Sequence, residues 1–348
     1  MALQSQLMDD RGHSRKIEGS VIDCVISRDG QYLAYVTADG DLWIATAQDK
    51  HSPDQWKVYH PHDGGILCLS QDISPQGFLT GGDDNTVQRF IPGQPIQCVA
   101  KASRWVEHLT SWYNLKTQQG LFAFVAGKQV EVYKNQDKEH CAVLQHDSTV
   151  SGIDFSQYGT ALACSHYNGA TLWAVDTQEK RGFVWKGSHI GVIMHPYDEA
   201  LITAMQENDL HGWRLSDGHN MRMSGYTTKV KSLSFSMNGK WLATSGTENV
   251  VMWPFFDGGP IGKPPAELTG IPNSCCTQVT FHPQYEMLAA GFLDGSVLLI
   301  DTDAKKVLPV CFGNQQSHGS ITALSFSPAG DLLSFGTENG TIAVLDLS

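Results

Sequence analysis

Apolar and polar residues alternate through most of this chain in short runs, and the runs follow a fixed order. A stretch carrying Val230, Leu233 and Phe235 meets the polar turn "SMNG"; the apolar "KWLATS" follows, then a turn with Glu-Asn, then a third stretch ending on Trp253. Alternation of this kind predicts half-buried β-strands, and the turn glycine supplies the positive φ that a hairpin needs. The same grammar recurs in eight segments, from "SVIDCVISRDGQYLAYVTADGDLWIA" to "ITALSFSPAGDLLSFGTENGTIAVLD". Third strands end on large apolar residues (Phe90, Tyr133, Trp173, Trp213, Trp253, Ile300, Leu345), and a loosely patterned fourth strand such as "QWKVYH" or "RGFVWK" comes next. A spacing of roughly 40–46 residues is the period of four-stranded propeller blades. The third segment is the weakest, because its second turn, "AGK", carries no acidic residue.

At specific residues the repeat resembles the WD-repeat β-propeller family. The turn-plus-aromatic signature appears in "TADGDLW", "NDLHGWR" and "TENVVMW", and histidines precede first strands in "YHPHDGGI", "LQHDSTV" and "QSHGSI". The Trp-Asp dipeptide is nowhere intact: "WR", "WP", "FI", "ID" and "LD" replace it, which leaves the family's buried Asp-His-Ser/Thr-Trp network incomplete in most repeats. The resemblance implies an all-β, closed β-propeller of four-stranded antiparallel blades, eight of them, with seven as the alternative. It implies structural roles for His62, His146 and His318, each donating to an acidic residue of the second turn, and for Trp173, Trp213 and Trp253. The last segment holds only three strands, and in this family the chain is offset by one. The missing outer strand is therefore expected from residues 13–19, "HSRKIEG", behind a flexible tail of residues 1–12, in a single domain spanning 1–348.

Charge narrows the partners. The net charge of −12 argues against non-specific binding to nucleic acid or to an anionic membrane, both polyanionic. No window approaches the roughly 18 apolar residues of a spanning helix. "MALQSQLMDDRGHSRK" has no apolar signal core, so a cytoplasmic location is expected. The eight cysteines sit mostly singly within apolar strands, as reduced thiols acting as small hydrophobes.

No phosphate loop, His-Glu-x-x-His pair or nucleophile elbow stands out, so the sequence points to no catalysis, cofactor or metal. Adjacent Cys275 and Cys276 do not suit one ion, and of the histidines only His318 is expected near Cys275. A rival reading places Asp23, Asp72 and Asp154, each on an inner strand, in a channel where an enzyme or metal-handling propeller would use them. The leading reading is a scaffold, monomeric outside its complex, that docks a protein or peptide, preferably basic, on its top face. That face is expected to gather Asp63, Trp105, Glu107, Asp147, Tyr167, Asn168, Lys229, Asn273, Cys275 and Ser317, with Trp105 in "SRWVEHLTSWY" as the first anchor. Trp112 in the same stretch reads as core. A permanent subunit of a larger complex is a further alternative. The Pro- and Gly-rich "FFDGGPIGKPPAELTG", residues 255–270, reads as a protruding loop on the other face.

Overall fold

A computed structural model describes residues 6–135, 140–313 and 319–348. The strands fall where the alternation predicts them, and all pair antiparallel, in sequence order except for the first, which pairs with the last. Six sheets have four strands; one, from Val150 to Met223, has six. Middle strands are buried along their length, as in Phe78–Gly82, whereas outer strands such as Lys57–Tyr59 stay open to solvent. The third repeat is an ordinary four-stranded sheet: Gly127, at φ 67°, closes its second turn between paired Ala126 and Gln129, so the turn does without an acidic residue.

The expected eight separate sheets are therefore seven, and the merger lies in the fourth and fifth repeats. Strand Ala161–Ala174 pairs through its first half with Val150–Phe155 and through its second with Lys180–Met194. Between the halves the backbone reverses at Asn168 (φ 68°) and Gly169 (φ 137°). His166 Nε2 then reaches Thr171 Oγ1 at 2.9 Å, whereas five residues of extended strand would span about 16 Å. Lys180–Met194 likewise continues from the fourth repeat into the fifth, where residues 189–194 pair with Ala200–Met205.

The residues form two compact units, Met1–His60 with Lys231–Ser348, and Pro61–Val230. In the first, Gly12–Lys16 pairs with Thr341–Asp346 and supplies the outer strand of the last sheet. A one-turn helix, Leu7–Arg11, occupies part of the segment expected as tail. The N-terminal segment and the last repeat share one core, in which Ile17, Val21, Tyr35 and Trp56 pack with Ala323 and Ile342. Tyr35 donates its hydroxyl to Ala343 O at 2.9 Å. Side-chain hydroxyls stitch neighbouring inner strands: Thr277 donates to Ile321 O (2.7 Å), and Phe281 N–H donates to Ser234 Oγ (2.9 Å). In the second unit, Leu79, Val106, Phe122 and Phe124 form one core and Val132, Leu144, Leu162 and Trp173 another.

Residues 255–270 fold back on themselves. Lys263 donates to Phe256 O and lies 4.7 Å from the Phe256 ring, which meets Trp241 edge-on.

Candidate partner-binding site

Residues 102–107 link the outer strand of the second repeat to the inner strand of the third, and the second unit pins this loop tightly. Ala102 N–H donates to Asn85 O (2.8 Å) and Val106 N–H to Gly82 O (3.1 Å), while Val106 O accepts from Cys68 Sγ. Val106 is fully buried against Gly81, where a Cβ would lie 2.5 Å from its methyl. Glycine at 81 thus makes room for Val106, and Trp105 beside it is left 58% exposed. Trp105 and Glu107, with Asn85, Arg104 and Thr149, line a cleft of about 460 Å³. A large, stiff ring held at a cleft by a fixed backbone loses little entropy on contact, which is why Trp and Arg recur at binding hot spots.

A second cleft, about 400 Å³, lies on the other side of loop 145–149. Asp147, His166, Tyr167, Asn168 and Lys180 line it, with His146 and Trp173 at its wall. The Trp173 indole donates to His146 Nε2 (3.0 Å), so that nitrogen is an acceptor and the ring is neutral. Burial, reinforced by His166, pushes His146 down to about 4.

The two expected structural histidines in the described residues therefore differ. His62 makes the Asp-His-Thr part of the network, with Phe90 in place of the Trp: Nδ1 to Asp84 (2.9 Å), Nε2 to Thr80 (2.8 Å), with Thr86 donating to the same carboxylate. His146 has no such acid. Asp84 stands six residues before Phe90, and the residue six before Trp173 is Tyr167. The expectation that His146 donates to an acidic residue is corrected: it accepts from Trp173 instead. His189 takes the buried role in the fifth repeat, bonded to Thr203 (2.7 Å) and Trp185 O. Trp213 and Trp253 are buried, as is Trp173.

Other expected residues scatter. Asp63 and Lys229 are exposed in the second unit, and Asp63 N–H caps Asp84. In the first unit, Asn273 is exposed at a turn (φ 59°) and Cys275 is half-buried. Ser317 and His318 lie outside the described residues. Trp112 packs on a core and donates its indole to Gln157 O in the next repeat (2.8 Å). Arg104, Asn85 and Thr149 were not anticipated, although Arg104 sits next to Trp105 in the sequence.

The acids assigned to a channel have other work. Asp72 is fully buried and ion-paired with Arg89, Oδ2 to Nε at 2.8 Å, and a channel role for it is corrected. Burial still raises its carboxyl above the ordinary range, against the pull of Arg89. Asp154 accepts Met194 N–H across to the neighbouring inner strand (2.8 Å), and Asp23 accepts Cys24 N–H. Burial pushes both up to about 7. Among the described residues no three His, Cys, Asp or Glu side chains gather to hold a metal ion.

These sheets define a class, the all-β propeller built from four-stranded antiparallel blades. A solved structure of the computationally designed Ika8 protein shares the fold, with a TM-score of 0.75 over 95% of this chain and 98% of that one, at 15% identity. Residues 54–89 and 218–253 match the family described as "WD domain, G-beta repeat", and residues 279–348 match "Anaphase-promoting complex subunit 4 WD40 domain". WD repeat-containing protein 90 of Xenopus tropicalis is 28% identical over 132 residues, 38% of this chain and 7% of that protein. The transcriptional corepressor LEUNIG_HOMOLOG of Arabidopsis thaliana is 23% identical over 290 residues, 80% of this chain and 35% of that protein. The matched regions thus cover 7% of the first relative's length and 35% of the second's. These matches support a WD-repeat β-propeller family, a fold that generally mediates protein interactions.

Proposed function

We propose that this protein is a non-catalytic interaction scaffold that docks an extended protein segment across loop 145–149, between the Trp105 cleft and the Tyr167 cleft. The observation that carries this reading is Trp105, exposed at the cleft while the residue after it is fully buried. Glu107 and Asp147, which line these clefts, with the −12 net charge, favour a basic segment through steering of its approach. The eight free thiols support a cytoplasmic setting. We read the six-stranded sheet as two blades, since its strands reverse at Asn168 and pass from one repeat to the next within Lys180–Met194, giving eight in all.

The test is capture of the tagged protein from native extract at moderate salt, beside a Trp105→Ala/Glu107→Ala variant and a Tyr167→Ala variant. A near-stoichiometric protein partner lost with these substitutions supports the reading. A partner retained equally by all three proteins places docking elsewhere and removes it.

A further inference from the structure

The turns that follow the inner strands carry a feature that the clefts do not explain. In the second unit Leu115, Tyr158 and Tyr197 stand at the tips of three consecutive such turns, after strands His108–Asn114, Val150–Phe155 and Lys180–Met194. They are 76%, 65% and 53% exposed. In the first unit Met237 and Tyr285 occupy the corresponding turns and are also exposed.

The turn does not need these side chains. What it needs is one residue of positive φ, supplied by Gly159 and Asp198 after the two tyrosines. The first and last repeats make the same turn with Asp29 before Gly30 and Ala329 before Gly330. Large apolar groups left in water at a position where Asp or Ala serves are a cost that folding does not require.

Nor are the tips independent. The Trp112 indole donates to Gln157 O (2.8 Å), and Gln157 N–H donates to Asp198 Oδ1 (3.1 Å), so the strand leading to the Leu115 turn and the next two turns are tied from repeat to repeat. A set of apolar tips held rigidly side by side is a pre-organised surface. It lies at the far end of a six-residue strand, about 20 Å, from loop 145–149, so it is separate from the clefts.

Its rim is acidic. Asp176, Glu179 and Glu199 are exposed beside the tyrosines, and Asp198 is half-buried between them. Of the nearby cations, Arg214 is paired with Asp217, while Arg181, bonded to Leu215 O, and Lys116 at the Leu115 turn keep their charge, fewer than the acids around them. Tyrosine rings between carboxylates suit a cationic side chain with an apolar stem, by cation–π contact and charge together.

We propose that this turn surface is a second docking site, for a basic, amphipathic segment of a partner protein. The probe is a fluorescein-labelled amphipathic peptide of lysine and leucine, with its glutamate–leucine counterpart as control, titrated by anisotropy at physiological salt. The lysine peptide is expected to bind, and a Tyr158→Ser/Tyr197→Ser variant to weaken it about tenfold or more. Both tyrosines are surface residues, and thermal melts check that the variant folds. Trp105→Ala is expected to leave the part of the binding that depends on the two tyrosines in place, so failure here and failure of the cleft reading are distinguishable. Equal binding to the double variant, or equal binding of the glutamate peptide, overturns the proposal. So does self-association of the unmutated chain in sedimentation that the two serines abolish, since the occupant would then be a second copy.

Discussion

At the scale of single residues, buried charge separates structure from chemistry. Asp72 and Arg89 are both buried and paired, so removing one leaves the other uncompensated. Asp72→Ala is expected to cost about 3–5 kcal/mol, and replacing both partners with apolar residues much less, as read from urea midpoints. The sequence concealed this pair. Asp72 was legible as an acid on an inner strand, but its partner lies 17 residues away on the third strand, and only the pairing of the strands brings them together. His62 was legible because its motif is local to one repeat; His146 was misread because Tyr167 replaces the acid, a loss that a histidine pattern does not register. Asp154 makes a pH-dependent prediction. Its folded carboxyl titrates at about 7, above the ordinary 3.8, so the native state holds a proton the unfolded chain has released. That contribution to stability is complete below about pH 4 and is lost as the pH rises through 7. Asp154→Asn, which can still accept from Met194 N–H, is expected to gain stability over the parent at pH 8 but not at pH 4. Denaturation at the two values checks it.

At the scale of elements, the hairpins were read almost entirely from alternation and turn glycines, because both signals are local. What alternation could not show is where one sheet stops and the next begins. Between Trp185 and His189 the chain bends at Gly187 (φ 134°) but stays paired as one strand, so two repeats that look separate in sequence share it. The docking of the N-terminal segment rests on Gly340. It sits at φ 82°, its carbonyl oxygen accepts Ile17 N–H, and a Cβ there would lie 2.5 Å from the Ile17 and Gly19 carbonyls. Those are backbone atoms without room to yield. Gly340→Ala is expected to cost about 1–3 kcal/mol, and limited proteolysis should then cut the chain near residues 12–19 faster than in the parent.

At the scale of the whole chain, repetition made the fold class legible and obscured the function. Every repeat spends most of its residues on the same packing problem, so the functional signal survives only in loops and turns that deviate from the rest, such as Trp105 or Tyr158. Charge adds a long-range prediction. With a net charge of −12, capture of a basic partner should slow as salt rises, the association rate falling more than the dissociation rate changes, as stopped-flow mixing at several ionic strengths would show. The pairing of Gly12–Lys16 with Thr341–Asp346 also has a meaning in time. Lys16 meets Thr341, made about 325 residues later. At translation rates of roughly 5–20 residues per second, that strand waits on the order of tens of seconds for its partner, carrying unpaired backbone groups throughout. Its sequence, "GHSRK", is polar and basic, which keeps a waiting strand soluble and gives it little to offer any other sheet edge.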